Sequence, residues 1–353
     1  MVKGQTELVK KLNLAGPLIL APLSGGPGTA ALAAAVSNAG GLGFLGGAYM
    51  SATDLQTAIQ QTKILTTKTF GVNLFVPSQV PKVSEAQKAL ALKVTQTYRD
   101  ELQLATPNFD KPAFEDFNKL MTVVFAEKPA VFSFTFGLLD KSYLQECHRL
   151  GIYTIGTATN LEEALQLQDS GVNAIVAQGK EAGGHRGMFD VQQSDSDVVI
   201  EDLTKSLVNE LKVPVIAAGG LMTGKDIAKA LSWGAQAAQL GTAFMLCPEA
   251  GTSAPYRQAL REAKGKVSCL TRVFSGRIAR GLENRFILEM ENQNEAILPW
   301  PVQNAFTRDI RQKAAQMGKA EFLSLWAGTS VAFIREMPAP QLVETLYSEF
   351  NQA

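Results

Sequence analysis

The chain has 353 residues, 46% of them apolar and 19% charged, and its 33 basic and 33 acidic side chains cancel. That length suits one large α/β barrel or two ordinary domains, and the composition excludes a disordered chain. The balanced charge argues against nucleic-acid or anionic-membrane partners, no stretch reaches the roughly 18 continuous apolar residues of a membrane span, and three cysteines without metal-ligand spacing (Cys147, Cys247, Cys269) fit a reducing cytoplasm and no metal site.

Lys10 and Lys11 precede an apolar run, residues 12–23, that superficially resembles a signal peptide. Pro17 and Pro22 interrupt it and no small-residue cleavage site closes it, so a buried first strand is expected over 18–21. A loop from Pro22 to Gly28 and an Ala-rich helix over 29–38 follow. The second strand is expected over 42–45, and Ser51 with Asp54 signals a capped helix. Gly41-Leu42-Gly43-Phe44-Leu45-Gly46 matches the dinucleotide pattern G-x-G-x-x-G but spans the strand instead of following it, so it is rejected as a cofactor loop. A third strand over 71–76 precedes a polar, mostly helical excursion, 77–129.

Strand 4 is expected over 130–136, with Ser142 and Gln145 capping the next helix, and strand 5 over 153–156. Asn160 and Glu163 open the following helix. Glu115-Asp116 and Glu162-Glu163 read as solvated helix faces and His148 as a surface residue. The apolar run 173–177 reads as a sixth, fully buried strand. A helix to about residue 211, strand 7 over 213–218, a helix capped by Thr223 and Asp226, and strand 8 over 237–240 complete the alternation.

After the sixth strand comes Gln178-Gly179-Lys180-Glu181-Ala182-Gly183-Gly184-His185-Arg186-Gly187, four glycines around one of only two histidines. Glycine lets backbone approach a flat or phosphorylated ligand, and histidine exchanges protons near neutral pH. The stretch is either an active-site loop or a structural turn whose histidine bonds nearby backbone. Eight strands, each followed by a helix, predict an α/β fold, a (β/α)8 TIM barrel. Such barrels bind phosphate after strands 7 and 8. Here those positions read Ala218-Gly219-Gly220 and Gln239-Leu240-Gly241-Thr242, whose N–H groups and hydroxyl suit a phosphate dianion.

Together with Ala21-Pro22-Leu23, Phe70-Gly71-Val72-Asn73-Leu74-Phe75 and Leu325-Trp326-Ala327-Gly328, these motifs resemble the nitronate monooxygenase family, over nearly the whole chain. The resemblance implies an FMN-dependent barrel oxidising alkyl nitronates with O2 to carbonyl compounds and nitrite, propionate 3-nitronate being one candidate. It implies FMN contacts at Asn73, Gln178, Gly183, Gly220, Gln239, Leu240, Gly241 and Thr242, and an active-site histidine at His185. Ala21, Pro22, Leu23, Gly184, Ala218 and Gly219 join the candidate cofactor residues, and Thr135 and Trp326 are candidates on the substrate side. Some members carry a second histidine where this chain has Thr135. Residues 1–246 with 324–353 are expected to form the FMN-binding barrel, and 247–323 a mostly helical lid that binds substrate. A cytoplasmic monomer or homodimer is expected.

His185 either donates a hydrogen bond to the nitronate or acts as base on a neutral nitroalkane. The orienting role is the expectation, because an anion already formed needs no base. Two other functions share these features: an FMN-dependent NAD(P)H reductase of enoyl-acyl carrier protein or quinone, and a non-catalytic flavin-binding protein. A barrel with a cysteine nucleophile after strand 6 is set aside, since no cysteine lies between Cys147 and Cys247.

Overall fold

The computed structural model describes residues 4–109, 112–266 and 268–353. In chain order its strands are β1 (Leu18–Leu20), β2 (Gly43–Gly46), β3 (Phe70–Phe75), β4 (Val131–Thr135), β5 (Tyr153–Ala158), β6 (Ala174–Gln178), β7 (Gly184–His185), β8 (Val215–Ala218), β9 (Ala237–Leu240), β10 (Ser268–Thr271) and β11 (Ala279–Leu282). Eight of them form one parallel sheet in the order β1-β9-β8-β6-β5-β4-β3-β2. Its two ends meet at an Ile19–Leu42 bridge, where Leu20 N–H donates to Leu42 O and Leu42 N–H to Leu18 O, each at 2.9 Å. The expected (β/α)8 barrel is the fold.

The outer helices are α2 to α9, after a short α1 (Glu7–Lys11): α2 (Ala30–Asn38), α3 (Ala52–Leu65), α4 (Glu85–Glu101), α5 (Phe117–Glu127), α6 (Lys141–Arg149), α7 (Leu161–Ser170), α8 (Ile200–Glu210) and α9 (Gly224–Ser232). Helices outside and side chains inside bury both faces of each strand, which is why the strands read as continuous apolar runs. Ile19, Phe44, Val131, Ile155, Val176 and Ile216 fill the interior, where Leu8, Val9 and Leu12 of the α1 region join them. The Thr6 hydroxyl caps α1 and donates to Gln236 O (2.8 Å). That plug closes the amino end of the barrel and leaves the carboxyl end for a ligand. A Cβ at Gly43 would lie 1.9 Å from Ala33 O and one at Gly41 3.0 Å from Val36 Cγ1, so these two glycines of the G-x-G-x-x-G stretch serve α2–strand packing, while Gly46 leaves room for the loop at Ser24.

Ser51, Asn160 and Thr223 cap α3, α7 and α9 as expected. Two expectations are corrected. Asp140, not Ser142, caps α6, because its carboxylate accepts both the N–H and the hydroxyl of Ser142. Glu163 does not belong to a solvated face: it is 4% exposed, and its carboxylate turns inward to accept from Thr159 N–H (2.7 Å), Thr159 Oγ1 (2.8 Å) and Phe189 N–H (2.9 Å). His148 is exposed. Asp116, also exposed, caps α5.

The chain after β9 makes α10 (Ala254–Arg261), the β10–β11 hairpin, α11 (Arg285–Met290), α12 (Val302–Phe306) and α13 (Arg308–Met317) before α14 (Ala339–Gln352). Packed on α9 and α2, α14 is the helix that follows β9; with α4 counted to the excursion it completes the eight barrel helices, delayed by this insertion. The hairpin was not legible as strands, being two four-residue segments without alternation; its edge pairs with β7, Ala279 opposite His185 and Arg280 opposite Gly184. Phe274, Phe286, Ile310 and Phe322 of the insertion share an apolar cluster with Tyr98 and Leu102 from the excursion, and Arg99 grips Asp309 bidentately at 2.9 and 3.0 Å. Among the described residues no helix is long and apolar enough to cross a membrane.

Candidate active site

The glycine-rich stretch leaves β6 at Gln178 and returns as β7, and a fully buried Arg186 holds it in shape. Nε and Nη2 of Arg186 clasp both oxygens of Asp195 (2.7 and 3.1 Å). Nη1 donates to Gln178 O (3.1 Å), Gln178 Oε1 (3.0 Å) and Gly179 O (2.6 Å). The amide of Gln178 spans the same loop, donating to His185 O (3.0 Å) and accepting from Gly187 N–H (2.7 Å). Glu181 caps α8 from within the loop by accepting Ile200 N–H at 3.0 Å. Glu163 and the barrel strands fix one side of this loop and β11 the other.

His185 therefore stands on a braced edge. Around its ring lie Trp300 and Trp326, each at 5.4 Å between centroids, with Phe136 at 6.0 Å and Phe75 at 6.3 Å. Its Nε2 is 2.9 Å from Ser275 Oγ. Burial, reinforced by the Arg277 and Arg311 charges, pushes its pKa down from 6.5 to about 3, so the imidazole is neutral at physiological pH. Arg277 stacks on Phe136 with Cζ 3.7 Å from the ring centroid and bonds the carbonyls of Arg186 and Met188. Arg311 bonds the carbonyls of Thr307 (3.3 Å) and Asn304 (2.7 Å) and Asn304 Oδ1 (3.0 Å). Burial lowers the pKa of Arg277 to about 9 and of Arg311 to about 10. Both stay cationic at neutral pH.

One cavity opens at the carboxyl ends of the barrel strands beside this histidine. It collects Ala21, Pro22 and Leu23 after β1, Asn73 from β3, Thr135 from β4, Gln178, Gly183, Gly184 and His185 from the braced loop, Ala218, Gly219 and Gly220 at the end of β8, Gln239, Gly241 and Thr242 at the end of β9, and Trp326. Leu240 alone among the candidates does not line it; its side chain is buried in the apolar layer outside the strands. Asn73 Nδ2 donates to Ser133 Oγ (2.9 Å) and lies 3.5 Å from Thr135 Oγ1. No Asp or Glu lines the cavity among the described residues, whereas Arg311 does. An anion entering it meets positive charge without competition.

Gly219 and Gly220 adopt φ of +132° and +67°, which only glycine holds without strain, and they turn the backbone across the β8 end of the cavity. Thr242 Oγ1 accepts from Gly328 N–H (3.0 Å), bringing the segment 326–330 against both loops. The sequence pattern suggested that the glycine at 183 makes room for a ligand. The structure supplies a different reason: a Cβ there would meet Gly328 N at 2.5 Å and Ala327 C at 2.6 Å, so protein backbone already fills that space.

Sequence reasoning missed Arg186, Ser275, Arg277, Trp300 and Arg311. Arg186 had a signal, since it adjoins His185 in the motif. The others sit in an insertion without a recognisable motif and reach the site through tertiary contacts, the β7–β11 pairing and the packing of the insertion on the excursion among them. Among the described residues no three His, Cys, Asp or Glu side chains group as metal ligands.

The nitronate monooxygenase family model matches residues 6–349. A nitronate monooxygenase of Paraburkholderia phytofirmans is 38% identical over 366 aligned positions, covering 99% of this chain and 96% of that protein. A Staphylococcus saprophyticus protein named "Probable nitronate monooxygenase" is 34% identical, with 99% of each chain covered. In three dimensions the chain is similar to nitroalkane oxidase from Streptomyces ansochromogenes, with a TM-score of 0.90, 34% identity and 98% of each chain covered.

Proposed function

The chain belongs to the nitronate monooxygenase family, and from that premise we propose that its barrel-mouth cavity binds FMN and oxidises alkyl nitronates with O2 to carbonyl compounds and nitrite. It is an oxidoreductase acting on nitronates. The observation that carries the finer reading is the convergence of a neutral His185, the cationic Arg311 and the loops at the ends of β8 and β9 on one cavity without carboxylates, with Arg277 adding its charge from beside the histidine.

The residues fit a monophosphate flavin. Gly219, Gly220, Gly241 and Thr242 offer a turn with positive φ, backbone N–H groups and a hydroxyl where a phosphate would sit. No second loop for an adenosine half survives, because the G-x-G-x-x-G stretch is strand. Ala21, Pro22, Leu23, Asn73, Gln178, Gly183, Gly184, Ala218 and Gln239 would flank the ring system. A bound flavin supplies the redox chemistry that these side chains lack. Arg277 and Arg311 favour an anionic substrate, and Trp300, Trp326, Phe136 and Phe75 keep water from it. Thr135 and Trp326 lie on the substrate side, and residues 247–323 act as its lid over the barrel formed by 1–246 and 324–353.

The test is to release the chromophore from purified protein by heat, identify it by mass spectrometry, and assay O2 uptake and nitrite release with propionate 3-nitronate and with the nitronate of 2-nitropropane. FMN with nitrite release is the expected result. FAD, or no flavin after reconstitution, refutes the cofactor assignment. Fast NADH oxidation without nitronate turnover establishes the reductase instead, and bound FMN without any turnover establishes a binding protein.

A further inference from the structure

Ser275 is 1% exposed and lies in the turn between β10 and β11, in the insertion and outside every motif of the sequence. Its hydroxyl has three polar neighbours. Arg277 N–H donates to it at 3.2 Å, Arg277 O lies at 3.1 Å, and His185 Nε2 at 2.9 Å. A hydroxyl has one proton to give. A carbonyl can only accept, and Arg277 O has no other hydrogen-bond donor among the described residues. With the serine proton on that carbonyl, the remaining contact is made only if His185 Nε2 carries a proton and donates it to Ser275 Oγ.

We propose that Ser275 is a positioning residue that fixes His185 as the Nε2–H tautomer, so that a bare Nδ1 lone pair faces the cavity. No protein atom among the described residues bonds Nδ1, and His185 lines the cavity. The consequence rests on the reading of this cavity as the nitronate site. A neutral imidazole with a free Nδ1 accepts a proton and cannot donate one from that side. With a neutral nitroalkane, the α C–H bond breaks, an N–H bond forms at Nδ1, and the electron pair moves into the nitro group to leave a nitronate. The imidazolium formed keeps its Nε2–H on Ser275. With a preformed nitronate this step is absent. Ser275 therefore equips the site to use both forms of the substrate.

Two histidines make the tautomer directly readable. The holoenzyme labelled with 15N-histidine, with a His148→Gln variant to assign the second ring, should show His185 protonated at Nε2 alone. In Ser275→Ala that signature should become a mixture or invert, and Ser275→Thr, which keeps a hydroxyl, should restore it. In parallel, Ser275→Ala should lower the ratio of nitroalkane to nitronate kcat by about 10-fold or more, within the roughly 10²–10⁴-fold range of a lost general base, and Ser275→Thr should recover most of it. A wild-type ring protonated at Nδ1 overturns the proposal. So does a pure Nε2–H signature surviving in Ser275→Ala, or an unchanged substrate ratio. If the wild type turns over neither substrate, the functional reading fails, while the spectra still decide the tautomer; should Ser275→Ala not fold, the wild type and Ser275→Thr decide it.

Discussion

Replacing Arg186 by methionine removes the guanidinium that braces the His185 loop while nearly keeping its volume. The side chain is fully buried and its partner Asp195 is 7% exposed. The variant leaves a buried carboxylate without its cation and takes one donor each from Gln178 O, Gln178 Oε1 and Gly179 O. Breaking one side of a buried pair costs about 3–5 kcal/mol. By contrast, Lys205→Met breaks the exposed pair with Glu201, at 52% and 47% exposure, and should cost at most about 0.5 kcal/mol. Denaturant unfolding at constant slope reads both. The double variant Arg186→Met/Asp195→Leu should recover part of the loss by removing the stranded charge, but not all, because the loop oxygens still lack the hydrogen bonds Arg186 gave them. Turnover should fall further than stability explains, since the loop positions His185. A loss below about 1 kcal/mol, or equal losses for Arg186→Met and Lys205→Met, would refute the view that this pair holds the site together.

Three further outcomes follow from the same geometry. His185→Asn should depress turnover of a neutral nitroalkane by about 10²–10⁴-fold and affect a preformed nitronate far less; steady-state kinetics on both substrates would show equal losses if the ring only orients the anion. Because the pKa of His185 is lowered from 6.5 to about 3, the unfolded chain binds its proton first, so folding stability should fall as pH drops from 6.5 toward 3. The contribution approaches a slope of about 1.4 kcal/mol per pH unit and should vanish in His185→Gln, with urea midpoints between pH 7 and 4 as the measure. Gly184→Ala, where φ is +77° but no atom lies within 4 Å of the added Cβ, should cost about 1–2 kcal/mol of backbone strain. Gly183→Ala should cost more and loosen the segment 326–330, because its Cβ meets backbone; equal unfolding midpoints would contradict this.

Local pattern was enough for the barrel. Short, β-branched apolar runs such as Ile175-Val176-Ala177, bounded by glycine turns, read as strands buried on both faces, and caps at Ser51, Asn160 and Thr223 mark where helices begin. Because strands end where loops begin, the same alternation placed the cavity at Gly220, Gly241 and His185. The capping and charge rules failed where a carboxylate had more than one partner to choose. Asp140 displaced Ser142 as a cap, and Glu163, read as a solvated charge, turned inward to hold Phe189.

The succession of elements and the glycine-rich loops that close it follow from spacing within a few residues, and so are local properties of the chain. The state of the histidine is not local. Ser275, Arg277, Trp300 and Arg311 lie roughly 90 to 126 residues from His185 in the chain and reach it through the pairing of Ala279 with His185 and the packing of the insertion on the excursion. Burial and charge brought from such distances fix whether the ring is protonated and which nitrogen is free, and no local pattern records them, because desolvation depends on every atom packed around a group wherever it lies in sequence.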